Sequence, residues 1–119
     1  MDTIVVYGIS NCDITKKALA WFKEKNIPVK FHDYKIAGIT KEKLLAWNKK
    51  KGWEILLNKR STTWRNIPAA QQEETTTQAA AIGLMLEQNS IIKRPVVEYG
   101  DELLVGFNEF EYKGLLNKL

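Results

Sequence analysis

The opening of the chain reads as strand, helix, strand, and that order leaves few folds open. Thr3-Ile4-Val5-Val6-Tyr7 is a β-branched run ended by Gly8, the pattern of a buried strand. From Cys12 the period changes. Ile14, Ala18, Trp21 and Phe22 recur at three- and four-residue steps, which puts them on one face of a helix reaching to about Lys25. Asn26 and Pro28 end it. Val29-Lys30-Phe31-His32-Asp33-Tyr34 then alternates like a second strand. Two strands joined by one helix make a βαβ unit, which implies a parallel pair with a right-handed crossover. A length of 119 residues fits one domain spanning residues 1–119. With 45% hydrophobic and 27% charged residues, a disordered or collagen-like chain is excluded.

The middle of the chain reads as helical. Thr40 is an N-cap candidate for a helix that Gly52 ends, with Leu44, Leu45 and Trp47 as its apolar contacts. Residues 53–63 hold Glu54-Ile55-Leu56-Leu57, left unassigned, and then the polar string Asn58-Lys59-Arg60-Ser61-Thr62-Thr63, which reads as a loop facing ligand or solvent. An alanine-rich helix is expected from about Glu73 to Glu87, with Asn89 and Ser90 ending it. This helical insertion covers about residues 40–90. Beyond Pro95, Val96-Val97-Glu98-Tyr99 and Leu103-Leu104-Val105 flank Gly100-Asp101 as a hairpin. Asn108 caps a last helix to about Asn117, with Phe110, Tyr112, Leu115 and Leu116 apolar. The sum is an α/β sandwich: one four-stranded mixed sheet covered by helices. Trp21, Trp47, Trp53 and Trp64 are assigned to core and interhelical packing.

The net charge of +4 is unevenly divided. Residues 1–60 hold 13 Lys/Arg against 6 Asp/Glu, a net +7, and residues 61–119 hold 5 against 8, a net −3. A basic half suits anionic ligands or acidic protein surfaces. Without a zinc pattern or low-complexity tract, nucleic-acid binding has no support beyond that charge, and no metal site is expected. The longest apolar run, residues 79–86, is far short of the ~18 residues that suggest a membrane span. Met1-Asp2-Thr3 does not open like a signal peptide, and one cysteine allows no internal disulfide, so a reducing cytoplasm is the expected location.

Cys12 falls just after a strand, at the start of a helix. Unpaired N–H groups and the positive end of the helix dipole favour a thiolate there. Lys16 and Lys17 add positive charge in the first turns, whereas Asp13 opposes a second negative charge. A lone cysteine equally fits a small buried hydrophobe. Arg60 and Arg94 fall in loops, and two converging guanidinium groups would form an oxyanion or carboxylate site. Each alone equally fits a surface ion pair. Pro95 precedes a strand, where trans is the ordinary state. His32, the one histidine, reads as an outward or partly buried strand residue.

Taken together, four segments resemble the arsenate reductase (ArsC) family, within the thioredoxin-like fold, and its YffB-like, Spx-related branch. They are Tyr7-Gly8-Ile9-Ser10-Asn11-Cys12-Asp13 with Lys16-Lys17-Ala18, Leu57-Asn58-Lys59-Arg60-Ser61-Thr62-Thr63-Trp64-Arg65, Ile92-Lys93-Arg94-Pro95-Val96, and Leu104-Val105-Gly106-Phe107. The resemblance implies a three-layer α/β sandwich with Cys12 as nucleophile. It also implies that Arg60, Arg94, Lys16 and Asn11 bind the anionic substrate, and that Pro95 is cis. The implied function is a glutathione-dependent thiol reductase acting on a disulfide or oxyanion. Glutathione would be a co-substrate, no cofactor would be tightly bound, and glutaredoxin is a further partner. The alternatives are arsenate reductase proper, or a non-catalytic Spx-like regulator that binds the α-subunit of RNA polymerase.

Three departures from the family pattern stand out. Gly8 occupies the place of a histidine four residues before the cysteine, Phe107 that of a third arginine, and Thr15 that of the second cysteine of the Spx switch.

Overall fold

A computed structural model describes residues 3–119. Met1 and Asp2, part of the opening read above as no export signal, lie outside the described residues. The chain forms two compact units, one from the residues up to Ala37 together with Arg94–Leu119, the other Gly38–Lys93.

The first unit holds strands β1 (Ile4–Gly8), β2 (Val29–Asp33), β3 (Val96–Tyr99) and β4 (Glu102–Val105), with helices α1 (Asp13–Glu24) and α7 (Glu109–Leu116). The sheet order is β2-β1-β3-β4, with β1 parallel to β2 and antiparallel to β3. This is the expected four-stranded mixed sheet of a thioredoxin-like α/β fold. Alternation decides its packing. Ile4 and Val6 of β1, Val97 of β3 and Leu104 of β4 form one core with Ala18, Trp21 and Phe22 of α1 and with Tyr112 and Leu115 of α7. The aromatic rings interlock within it: Tyr112 stacks on Phe22 at 5.3 Å and meets Trp21 edge-on at 5.5 Å. Its hydroxyl donates to the Gly106 carbonyl at 2.9 Å, so the buried phenol keeps a partner. Asn108 caps α7 by accepting from the Glu111 N–H. Ile14 and Phe110, expected among the apolar contacts, are exposed instead at 51% and 86%. Each lies in the first turn of its helix, ahead of the residues that meet the sheet.

The second unit contains α2 (Lys41–Lys51), α3 (Trp53–Leu56), α4 (Thr62–Arg65), α5 (Ala69–Glu74) and α6 (Gln78–Glu87), with one 3-10 turn at Asn89–Ile91. Helix α6 touches α2 and α3, where Leu44, Trp47, Leu56, Ile82 and Met85 are buried. The string 58–63, expected as a loop, is one only as far as Ser61, since Thr62 and Thr63 open α4. Gly52 at φ +90° starts α3, and Leu57 pairs with Ile92 in an antiparallel bridge. Ser61 then starts α4 by accepting from the Trp64 N–H. The helix expected over residues 73–87 is two helices. Thr75 bonds back to the Gln71 carbonyl at 2.8 Å, and Thr77 accepts from the Ala80 N–H to open α6. Hydroxyls compete with helical hydrogen bonding and favour caps, so three consecutive threonines divide the segment.

Candidate active site

Cys12 is the N-cap of α1, with extended backbone angles of φ −95° and ψ 124°. A tight turn brings it there from β1. The Cys12 N–H donates to the Ile9 carbonyl at 3.0 Å, and the Ser10 N–H donates to Asp33 Oδ2 at 3.1 Å. The helix can start this close to the strand because residue 8 has no side chain. A Cβ on Gly8 would lie 2.6 Å from Thr15 Oγ1 and 2.7 Å from Thr15 Cγ2.

Arg94, the residue before the proline that leads into β3, reaches the sulfur, and its Nε lies 3.4 Å from Cys12 Sγ. The Arg94–Pro95 peptide is cis, and the Pro95 carbonyl accepts from the Gly106 N–H at 2.7 Å. Cys12 is half-buried. Burial pushes its thiol up, but the Thr15 N–H, the Arg94 guanidinium and the Thr15 hydroxyl together outweigh it, and the pKa falls from 9.0 to about 7. Neither Thr15 group closes a hydrogen bond of full geometry on the sulfur. Their pull is that of nearby dipoles, so among the described residues Arg94 is the direct donor. A thiol with a pKa near 7 is about half thiolate at pH 7, against about 1% for one at 9.

Two residues behind this pair were not singled out by sequence reasoning. Tyr34 is fully buried and hydrogen-bonds Arg94, while burial pushes its own pKa up to about 12. Burial disfavours the Arg94 charge, yet its bonds to Cys12 and Tyr34 prevail and raise its pKa. Asp33 accepts from the backbone of Ser10 and Lys35, and its carboxyl sits below the usual range because these bonds outweigh a slight burial penalty. The available signal was the Asp33-Tyr34-Lys35 run at the end of β2, where a short carboxylate can bond backbone two residues on.

Lys16 is exposed in the first turn, its N–H bonded to the Cys12 carbonyl at 3.0 Å, and Asn11 is exposed in the turn before Cys12. Lys17 is drawn sideways, its Nζ 5.5 Å from the Phe107 ring centre. Phe107 packs edge-on against Tyr112 at 5.0 Å. Arg60 belongs to the helical unit, exposed in a turn where its N–H bonds Asn58 Oδ1 at 3.0 Å. His32 on β2 packs its ring against Tyr7, with centres 4.9 Å apart. Among the described residues no three His, Cys, Asp or Glu side chains gather as a metal site, and no helix is long and apolar enough to cross a membrane.

A four-stranded mixed sheet with a lone cysteine capping its first helix, and an arginine on the sulfur, defines a thioredoxin-like thiol protein. The chain belongs to the ArsC family, whose model matches residues 7–115. It is 43% identical to an uncharacterized protein of Haemophilus influenzae over 92% of this chain and 96% of that one. It is 24% identical to the global transcriptional regulator Spx of Streptococcus agalactiae, over 95% of this chain and 82% of the regulator. A solved YffB protein superposes with a TM-score of 0.89 at 46% identity, covering 94% of this chain and 97% of that one. An arsenate reductase (ArsC) related protein from Brucella melitensis gives 0.76 at 41% identity, covering 94% and 92%.

Proposed function

We propose that this protein is a glutathione-dependent thiol oxidoreductase with Cys12 as its nucleophile. The observation that carries the reading is Arg94 Nε at 3.4 Å from a sulfur seated at a helix N-terminus, which favours the thiolate at neutral pH. The thiolate attacks the glutathione sulfur of a mixed disulfide. The substrate's S–S bond breaks, a Cys12–glutathione disulfide forms, and the substrate thiolate leaves to take a proton from water. Because Cys12 is the only cysteine in the chain, resolution falls to an external thiol. A second glutathione thiolate attacks the adduct, oxidised glutathione departs, and the Cys12 thiolate is restored. Glutathione is then a co-substrate rather than a resident cofactor, and glutaredoxin-like proteins are candidate partners. A reducing compartment such as the cytoplasm supplies the thiol.

Arg94 is assigned to the sulfur and its anionic partner, and the exposed Lys16 and Asn11 to glutathione carboxylates. Arg60, in the helical unit, is assigned to anion binding on the family resemblance alone. Arsenate is the less favoured oxyanion, because residue 107 presents a phenyl ring packed on Tyr112 rather than a guanidinium. The test is reduction of a glutathione mixed disulfide coupled to glutathione reductase, with mass spectrometry of the protein after exposure to oxidised glutathione. Wild type should turn over and form one adduct, and Cys12→Ser should do neither. Equal activity in Cys12→Ser sinks the reading.

The likeness to Spx along most of the chain supports a second reading, a regulator docking on RNA polymerase through its basic first half. Titration with the carboxy-terminal domain of the polymerase's α-subunit separates the two, since binding without thiol turnover favours the regulator.

A further inference from the structure

We propose that Tyr34 is a positioning residue for the thiolate: its buried hydroxyl holds the Arg94 guanidinium so that Nε faces Cys12 Sγ. The inference rests on the Cys12 reading above, but it concerns the resting thiol rather than turnover.

Tyr34 is fully buried, so its hydroxyl has no access to water and must find a partner inside the protein. That partner is Arg94, whose side chain hydrogen-bonds both Tyr34 and Cys12. A guanidinium is a rigid planar fork, and fixing one arm fixes the direction of the others. An arginine held only by a half-exposed sulfur would sample many rotamers, and most of them would carry Nε away. The phenol is itself immobile. The Tyr34 N–H donates to the Gly8 carbonyl at 3.1 Å, and the preceding residue, Asp33, accepts from the Ser10 N–H in the cysteine loop. The relay therefore runs from the strand ends through Tyr34 and Arg94 to the sulfur. Asp33, Cys12 and Arg94 are the charged or titratable side chains that act on the Tyr34 hydroxyl. Thr15 bears on the sulfur from α1. Having no exposed surface, Tyr34 does not touch substrate and acts only through Arg94.

The measurement is the pH dependence of Cys12 alkylation by iodoacetamide in Tyr34→Phe, Arg94→Ala and the double variant, with thermal unfolding recorded for each. Wild type should show a midpoint near 7. Tyr34→Phe keeps the ring and removes the hydroxyl, and it should raise the midpoint by about 0.5–1 unit, a three- to tenfold loss of thiolate at pH 6. Arg94→Ala should raise it by about one unit or more. In the double variant, loss of the hydroxyl should add nothing to the loss of Arg94. An unmoved midpoint in a folded Tyr34→Phe overturns the proposal, as does an equal further rise when Arg94 is already absent. Should Tyr34→Phe unfold, Tyr34→Trp and Tyr34→Leu, which also lack the hydroxyl, take its place under the same criteria. Alkylation needs no substrate, so a protein inactive on glutathione disulfides could still pass this test, and an active one could fail it.

Discussion

Gly8→Ala, a single added methyl group, tests how α1 is docked against β1. Gly8 does not have a positive φ, so alanine meets no backbone strain there. Alanine would normally stabilise such a position by about 0.4–1 kcal/mol through the unfolded chain. The new carbon, however, would lie 2.6 Å and 2.7 Å from Thr15 Oγ1 and Cγ2, and 3.2 Å from Thr15 Cβ. Ordinary carbon contacts begin near ~3.5 Å, so two overlaps approach an ångström. Thr15 is fully buried and β-branched, with a stiff χ1, and it cannot swing clear. The helix must shift, at a cost of about 1–3 kcal/mol. Removing the two nearest atoms with Thr15→Ala leaves only the 3.2 Å contact, so Gly8→Ala should then cost little or stabilise. Urea unfolding of the four proteins, followed by tryptophan fluorescence, should give a coupling energy of about 1–2 kcal/mol. Additivity within about 0.5 kcal/mol, meaning the same cost in both backgrounds, would refute the docking argument.

Arg94→Lys keeps the positive charge but not the planar fork, so it should recover less than half of the alkylation midpoint shift caused by Arg94→Ala. Full recovery would show that charge alone matters. The Cys12 thiol also links stability to pH. Its folded pKa is depressed to about 7 from 9.0, so the stabilisation is complete above about 9 and is lost as pH falls through 7. After discounting for solvent screening of a half-exposed group, the stability gap between wild type and Cys12→Ser should grow by about 1–2 kcal/mol from pH 6.5 to 9.5. Chemical denaturation at the two pH values checks it, and a constant gap contradicts the lowered pKa.

Much of this fold was legible in the sequence because its elements announce themselves locally. The β-branched run before Gly8, the three- and four-residue spacing of Ala18, Trp21 and Phe22, and Asn108 ahead of the last helix each report a local preference that packing reinforces. The helical unit was less legible. Helices α3 and α4 have four residues each, too few for an amphipathic period to show, and Ser61 was the one cue to α4. The break between α5 and α6 was written in Thr75-Thr76-Thr77, yet the alanine-rich run that follows masked it. Cys12 and Arg94 stood out by residue type and context. Tyr34 did not, because an aromatic residue at a strand end looks like any core residue until its hydroxyl is seen to meet a guanidinium. Thr15 was noted only for replacing a cysteine, and its packing role was silent, since what matters there is the absence of a side chain seven residues earlier.

Strand order explains why these distant residues meet at all. β1 lies between β2 and β3 in the sheet, and Gly8, its last residue, leads to the cysteine loop. β2 runs parallel to it, with Gly8 beside Asp33, so the C-terminal end of β2 delivers Tyr34 to the same edge. β3 runs antiparallel, with Tyr7 beside Val96, so its N-terminal end delivers Arg94 there as well. A parallel β3 would instead start at the opposite edge, and Arg94 would lie roughly 13 Å away along a four-residue strand. The antiparallel turn of the third strand is therefore as necessary to the thiolate as the helix that the sulfur caps.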